Sequence, residues 1–208
     1  MTGPGQAPSE VYALSAREFL DVVRGLGDEE AGTRVLACPA WTVHDLLAHL
    51  AGSSTDVATG NLDGVTSEPW SARQVEDRRG RSTAELVTEW ETNLAGVAAA
   101  CDQVSGPNPA LDVAVHLADL REALGLPPGP PEHGWASVLP QAVGLVTEGV
   151  GTVSVAEDGP DPGTTTWHVA TAYGLWRAVF SRLERPALER EVLRGDVDAL
   201  AAAAFFSR

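Results

Sequence analysis

Four stretches in the first 125 residues set apolar side chains at three- and four-residue spacing behind a helix-capping residue. A chain patterned this way buries its stripes by packing helices against one another. In the first stretch, Ser15-Ala-Arg-Glu18 has capping-box spacing, with a helix start as early as Val11. Leu14, Phe19, Val22, Val23 and Leu26 form its stripe, and Gly27 stops it. After the Cys38-Pro39-Ala40 turn, Thr42-Val-His-Asp45 caps a second helix that buries Val43, Leu46, Leu47 and Leu50. Residues 60–80 are polar and punctuated by Gly, and read as a loop ending in Arg78, Arg79 and Arg81, a solvated helix start or an anion-binding cluster. Ser82-Thr-Ala-Glu85 opens a third helix through Leu86, Trp90, Leu94 and Val97 to Gln103. Gly106-Pro-Asn-Pro109 then breaks the chain, with Asn108 as cap and Pro109 as first residue of a fourth helix that Gly125 and Pro127 end. Four helices of this length predict an antiparallel bundle.

The pattern changes beyond it. Pro127-Pro-Gly-Pro-Pro131 reads as a linker. A helix over 137–149, strands over 151–156 and 165–171, a helix over 172–184 and an Ala-rich helical tail follow. The fold class expected is mainly α: a helical bundle over 1–128 and a small α+β module over 129–208.

Charge narrows the function. The 208 residues hold 29 acidic and 14 basic side chains, a net charge of −15. Such a surface repels phosphate backbones and anionic lipid, so neither nucleic acid nor membrane is an expected partner. All the basic residues are Arg, which excludes Schiff-base chemistry and a phosphate-binding Lys. With abundant Ala, Gly, Pro and Val, this usage fits a GC-rich genome of actinobacterial kind. The Gly/Pro-rich first ten residues read as frayed, and the amino end has neither a basic start nor an apolar run, so the chain reads as cytoplasmic. In a reducing compartment Cys38 and Cys101 read as small buried hydrophobes rather than a disulfide.

The fourth helix carries the chemistry. Val113, Leu117, Leu120 and Leu124 form one stripe; Asp112, His116 and Asp119 form a second within about 60° of arc beside it. A carboxylate and an imidazole one helical turn apart can share a metal ion. His49, at the edge of the Leu46/Leu50 stripe, is the candidate third ligand. His49, Asp112 and His116 would form a two-His, one-carboxylate set for zinc, Fe(II) or a similar divalent ion, whereas a hydrogen-bonded pair at the core edge is the structural alternative. His44 reads as solvent-facing, and His133 and His168 as incidental.

Several segments together resemble a known family. Cys38-Pro-Ala-Trp-Thr-Val-His-Asp-Leu-Leu-Ala-His-Leu-Ala-Gly52 is similar to the signature of the mycothiol-dependent maleylpyruvate isomerase family, within the DinB-like four-helix bundle superfamily. Arg78 to Glu91 is similar to the opening of that family's third helix, and Asp112 to Gly125 to its second histidine motif. Tyr173 to Arg182 and the closing Phe205-Phe-Ser-Arg208 resemble its C-terminal module. The resemblance implies a divalent metal, usually zinc, held by His49, Asp112 and His116, with mycothiol as co-substrate. The metal would lower the thiol pKa and supply a thiolate that adds to an electrophilic alkene or is transferred to a substrate. Arg182 is the position matching the family's assisting arginine. Three departures stand out: Asp112 where the isomerase pattern has Glu, Ala118 where relatives carry a polar residue, and Ser181 where Gly is common before the Arg.

Three readings follow. One is a metal-dependent, thiol-using isomerase or S-transferase acting on a small electrophilic metabolite, as monomer or homodimer. A second keeps the metal without the thiol, as a hydrolase, lyase or cyclase with Asp119 as general base. A third is a non-catalytic ligand-binding module of the same fold.

Overall fold

A computed structural model describes residues 6–104, 106, 108–128 and 134–205. The chain forms two compact units, residues 1–134 and 135–208. The linker expected beyond Pro128, His133, residues 1–5 of the ten expected to fray and the closing Phe206-Ser-Arg208 lie outside the described residues, while residues 8–10 of that expected frayed start are helical. The architecture is mainly helical, with a three-stranded sheet confined to the second unit.

Helices α1 (Pro8–Arg24), α3 (Val43–Thr59), α5 (Thr83–Cys101) and α6 (Pro109–Ala123) are the long members of the first unit; a single turn, α2 (Asp28–Ala31), follows α1. Helix α1 packs on α5 and α6, and α3 packs on α5 and α6. Phe19, Leu46, Leu86, Trp90 and Leu120 are fully buried among them. Trp90 donates its indole N–H to the Tyr12 hydroxyl at 2.9 Å, which satisfies a polar atom the core would otherwise strand.

Three caps form at the expected residues: Thr42 accepts from the Asp45 amide, Ser82 from the Glu85 amide and Asn108 from the Ala110 amide. Asn108 also donates to the Cys101 carbonyl at 2.8 Å, tying the end of α5 to the start of α6. The first helix departs from expectation. It begins at Pro8 behind Ala7, with Glu10 reaching back to the Ala7 amide, and Ser15 lies buried in its interior. Proline at the first helical position lacks the amide that would need a partner, so it starts the helix earlier than the Ser15 spacing implied.

The loop expected over 60–80 is also corrected. It contains α4 (Glu68–Glu76), capped by Ser67 and carrying Pro69 in its first turn. Trp70, Gln74 and Val75 form its buried face against α3. The approach is close at Gly52, where an added Cβ would lie 2.6 Å from Gln74 Cβ and 2.8 Å from Arg78 Nη1, so only glycine fits.

In the second unit, α7 (Trp135–Thr147) precedes β1 (Val153–Val155), β2 (Trp167–Val169) and α8 (Ala172–Val179). A further helix α9 (Arg185–Glu191), strand β3 (Val192–Arg194) and α10 (Val197–Ala203) complete it. Strand β2 is central, parallel to β1 with Ser154 opposite His168, and antiparallel to β3 with His168 opposite Arg194. The helix expected over 172–184 stops at Val179 because Ser181 takes a left-handed φ of 57°. That left-handed conformation is one that favours glycine. Among the described residues, no helix is long and apolar enough to cross a membrane.

Candidate metal centre

His49 sits mid-way along α3 and His116 mid-way along α6, both buried on the facing sides of these helices. Their rings approach edge to face with centroids 5.1 Å apart. Asp112, one turn before His116, places a carboxylate between them: Oδ2 is 3.5 Å from His49 Nε2 and Oδ1 is 3.5 Å from His116 Nε2. One donor atom from each of the three lies within 4.8 Å of the others. A tetrahedral ion at 2.0–2.2 Å from two nitrogens and an oxygen would hold those atoms about 3.4 Å apart, so the donor set fits a metal ion such as zinc. The Asp112 side chain is 29% exposed while both imidazoles are almost fully covered, so the centre opens on the carboxylate side.

What holds the imidazoles is equally informative. His49 Nδ1 lies 2.8 Å from Gln74 Oε1, and Gln74 Nε2 donates to Asp56 Oδ2 at 2.7 Å. The amide oxygen can only accept, so Nδ1 carries the proton and Nε2 presents its lone pair toward Asp112. Asp56 is in turn held by Asn61 and Arg73. His116 repeats the arrangement with a carboxylate, its Nδ1 lying 3.0 Å from Asp119 Oδ2. Asp119 is therefore placed behind His116 with its side chain fully covered, where it orients the ring; a general base would have to face the open side. Burial is the largest influence on His116 and pulls its pKa below the ordinary histidine value, with the Asp119 hydrogen bond partly opposing. The neutral ring, the form able to ligate, is thereby favoured.

Aromatic walls enclose the rings. Trp41 lies 5.0 Å from His49 and 6.1 Å from His116, and Trp70 stands perpendicular to His49 at 6.3 Å, centroid to centroid. Gln74 and Trp70 were missed in the sequence because residues 60–80 read as loop. The signal was present in Ser67-Glu-Pro followed by apolar or amide side chains at 70, 74 and 75, which is one helical face. The Gln74 carbonyl also accepts from Arg78, part of a partly buried ionic cluster in which Arg78 pairs with Glu89, and Arg81 and Thr55 reach the same carboxylate. Burial raises the Glu89 pKa, but Arg78, Thr55 and Arg81 together outweigh it and hold the group below the usual carboxylate range. Arg78 is thus buried and paired, which is neither the solvated position nor the anion site the cluster suggested.

Other candidates fall elsewhere. Arg182 belongs to the second unit, just after α8; its amide donates to the Arg177 carbonyl at 2.8 Å and its Nη1 to the Phe180 carbonyl at 3.1 Å. His44 is half-buried, with Nε2 donating to the Arg81 carbonyl at 2.9 Å. His168 is buried in β2 with Nδ1 2.9 Å from the Ser154 hydroxyl. Cys101 is buried as expected, and burial pushes its thiol up to about 12. Cys38 departs from expectation: it is half-buried, with Sγ 4.0 Å from Asp119 Oδ2.

A helical unit whose two central helices aim two imidazoles and a carboxylate at one point defines a candidate metal-binding bundle protein. Residues 12–125, more than half the chain, match the family described as the mycothiol maleylpyruvate isomerase N-terminal domain, and the chain belongs to that family. His49, Asp112 and His116 all fall inside the matched span; Arg182 falls outside it. No curated protein and no solved structure matches the chain.

Proposed function

We propose that this protein is a divalent-metal-dependent enzyme that uses a small thiol, mycothiol, to isomerise or become joined to a small electrophilic metabolite. The observation that carries the reading is the convergence of His49 Nε2 and His116 Nε2 on the Asp112 carboxylate, within a family named for a mycothiol-dependent isomerase. An ion held there would act as a Lewis acid, lowering the pKa of a thiol so that it reacts as thiolate near neutral pH.

The chain's own residues prepare for this. Gln74 and Asp119 hold the Nδ1 protons, so both imidazoles offer fixed lone pairs and need no reorganisation. Asp112 brings one negative charge, leaving a net positive centre when a divalent ion is bound, which suits an anionic sulfur. Its arm is shorter than the Glu of the isomerase pattern, yet each carboxylate oxygen lies 3.5 Å from one imidazole nitrogen. Trp41 and Trp70 exclude water from the rings' faces and leave the carboxylate side as the approach. The substrate class is a small molecule with a polarised alkene or a comparable electrophilic carbon.

The test is metal content by plasma mass spectrometry on protein purified without chelator or histidine tag, followed by turnover of electrophiles with and without thiol. About one divalent ion per chain, lost in His116→Ala, together with a strict thiol requirement, is the expected result. Full turnover without metal and thiol would reject the proposal.

A further inference from the structure

Among the described residues, a second group of donors meets behind His116, on the side of the ring that the first set does not use. Cys38 Sγ, a His116 ring nitrogen and an Asp119 carboxylate oxygen lie within 4.8 Å of one another. The His116 nitrogen on that side is Nδ1, 3.0 Å from Asp119 Oδ2, and Cys38 Sγ is 4.0 Å from the same oxygen. A tetrahedral ion with sulfur at about 2.3 Å and oxygen at 2.0–2.2 Å sets those two atoms about 3.6 Å apart. A small rotation about the Cys38 side chain closes the difference.

The thiol is not carried on a loose segment. Cys38 donates its amide to the Val35 carbonyl at 3.1 Å, and Trp41 donates back to the Cys38 carbonyl at 2.8 Å. Arg34 Nη1 donates to the Pro39 carbonyl at 2.9 Å, and backbone bonds join Val35 to Trp41 and Val43 to Thr33. These bonds pin the turn between α2 and α3 so that sulfur faces the covered Asp119 carboxylate. Nitrogen, oxygen and the sulfur of a partly buried cysteine make a donor set for a borderline or soft divalent ion.

We propose that Cys38, His116 and Asp119 form a second metal position, distinct from the His49/Asp112/His116 set and sharing only the His116 ring with it. Binding there releases the Cys38 thiol proton to solvent as the sulfur–metal bond forms. With the first position empty, the Nδ1 proton of His116 moves to Nε2; with it filled, that proton also leaves and the ring bridges two ions. In either case Asp119 stops accepting a hydrogen bond and becomes a ligand. The position gives the centre a sensitivity to thiophilic ions that the first set, lacking sulfur, does not have.

Cobalt(II) tests this, because a thiolate ligand gives it a near-ultraviolet charge-transfer band that nitrogen and oxygen ligands do not. The metal-free, reduced full-length chain is titrated, with bound cobalt measured by equilibrium dialysis. Wild type should bind about two equivalents with the band, Cys38→Ser about one without it, and His49→Ala about one with it. Circular dichroism and the milder Cys38→Ala control for folding. One equivalent without a band in wild type would overturn the proposal. So would a band lost in His49→Ala, since Cys38 would then serve the first ion. One equivalent with a band in wild type, abolished in Cys38→Ser, would keep the second position and reject the first.

Discussion

The two units each bury histidine among polar neighbours, on elements of very different length. His49 and His116 stand inside helices of 17 and 15 residues, so about two turns of backbone or more on either side fix where each ring points. His168 stands in a three-residue strand between two others equally short. In the first unit the Nδ1 atoms meet obligate acceptors, Gln74 Oε1 and Asp119, and the Nε2 atoms are left aimed at Asp112. In the second, His168 meets the Ser154 hydroxyl, which itself contacts Thr165 and can donate or accept. Burial is common to all three histidines. What separates a candidate ligand from a structural side chain is a fixed tautomer together with a convergent carboxylate.

Removing a converging group should break the contrast most sharply. His116→Ala and Asp112→Ala are each expected to lower metal affinity by at least about 100-fold, measured by competition with a chromophoric chelator. Asp112→Glu should retain far more of it. The support behind His49 comes next. Gln74→Leu keeps the volume but deletes the Nδ1 acceptor, and should weaken metal binding by about 10–100-fold while the helical content measured by circular dichroism stays that of wild type. Unchanged affinity would mean that packing alone orients the ring.

His168→Gln tests the other side. It should leave metal stoichiometry untouched and cost about 1–3 kcal/mol of stability in urea unfolding, because a buried hydrogen-bonded group has been replaced. Loss of metal in this variant would erase the distinction between the units. The smallest effect concerns pH. Burial lowers the His116 pKa in the folded chain, so between that value and the ordinary one the unfolded chain binds more protons. The contribution of the neutral ring is whole above about pH 6.5 and is lost as pH falls below that unfolded-state value, levelling off beneath the folded one. Urea midpoints of the metal-free protein should therefore decline on acidification, and less steeply in His116→Gln.

Much of the bundle was legible in the chain because capping and helical periodicity are local. Thr42, Ser82 and Asn108 cap where their side chains permit, and the stripes behind them fall on the buried faces except at Leu94 and Leu124, which are half-buried. The Asp112/His116 pair was legible for the same reason, since four-residue spacing on a helix makes neighbours whatever the surroundings. The start of α1 misled because two caps were possible and proline at the first helical position favoured the earlier one. Helix α4 was hidden by the polar composition of its exposed face, and β3 by its length of three residues.

The sequence by itself determined the four long helices of the bundle, which residues carry donors and which of those donors share a helix face. Only the tertiary structure decided that α3 meets α6 in the register that brings His49 Nε2 to Asp112, and that α4 lays Gln74 against His49. The turn bearing Cys38 likewise reaches the rear of His116 only through packing. The reason is physical. Spacing along one helix is set by bonded geometry, whereas register between helices is set by how side chains interdigitate, here down to the missing Cβ of Gly52.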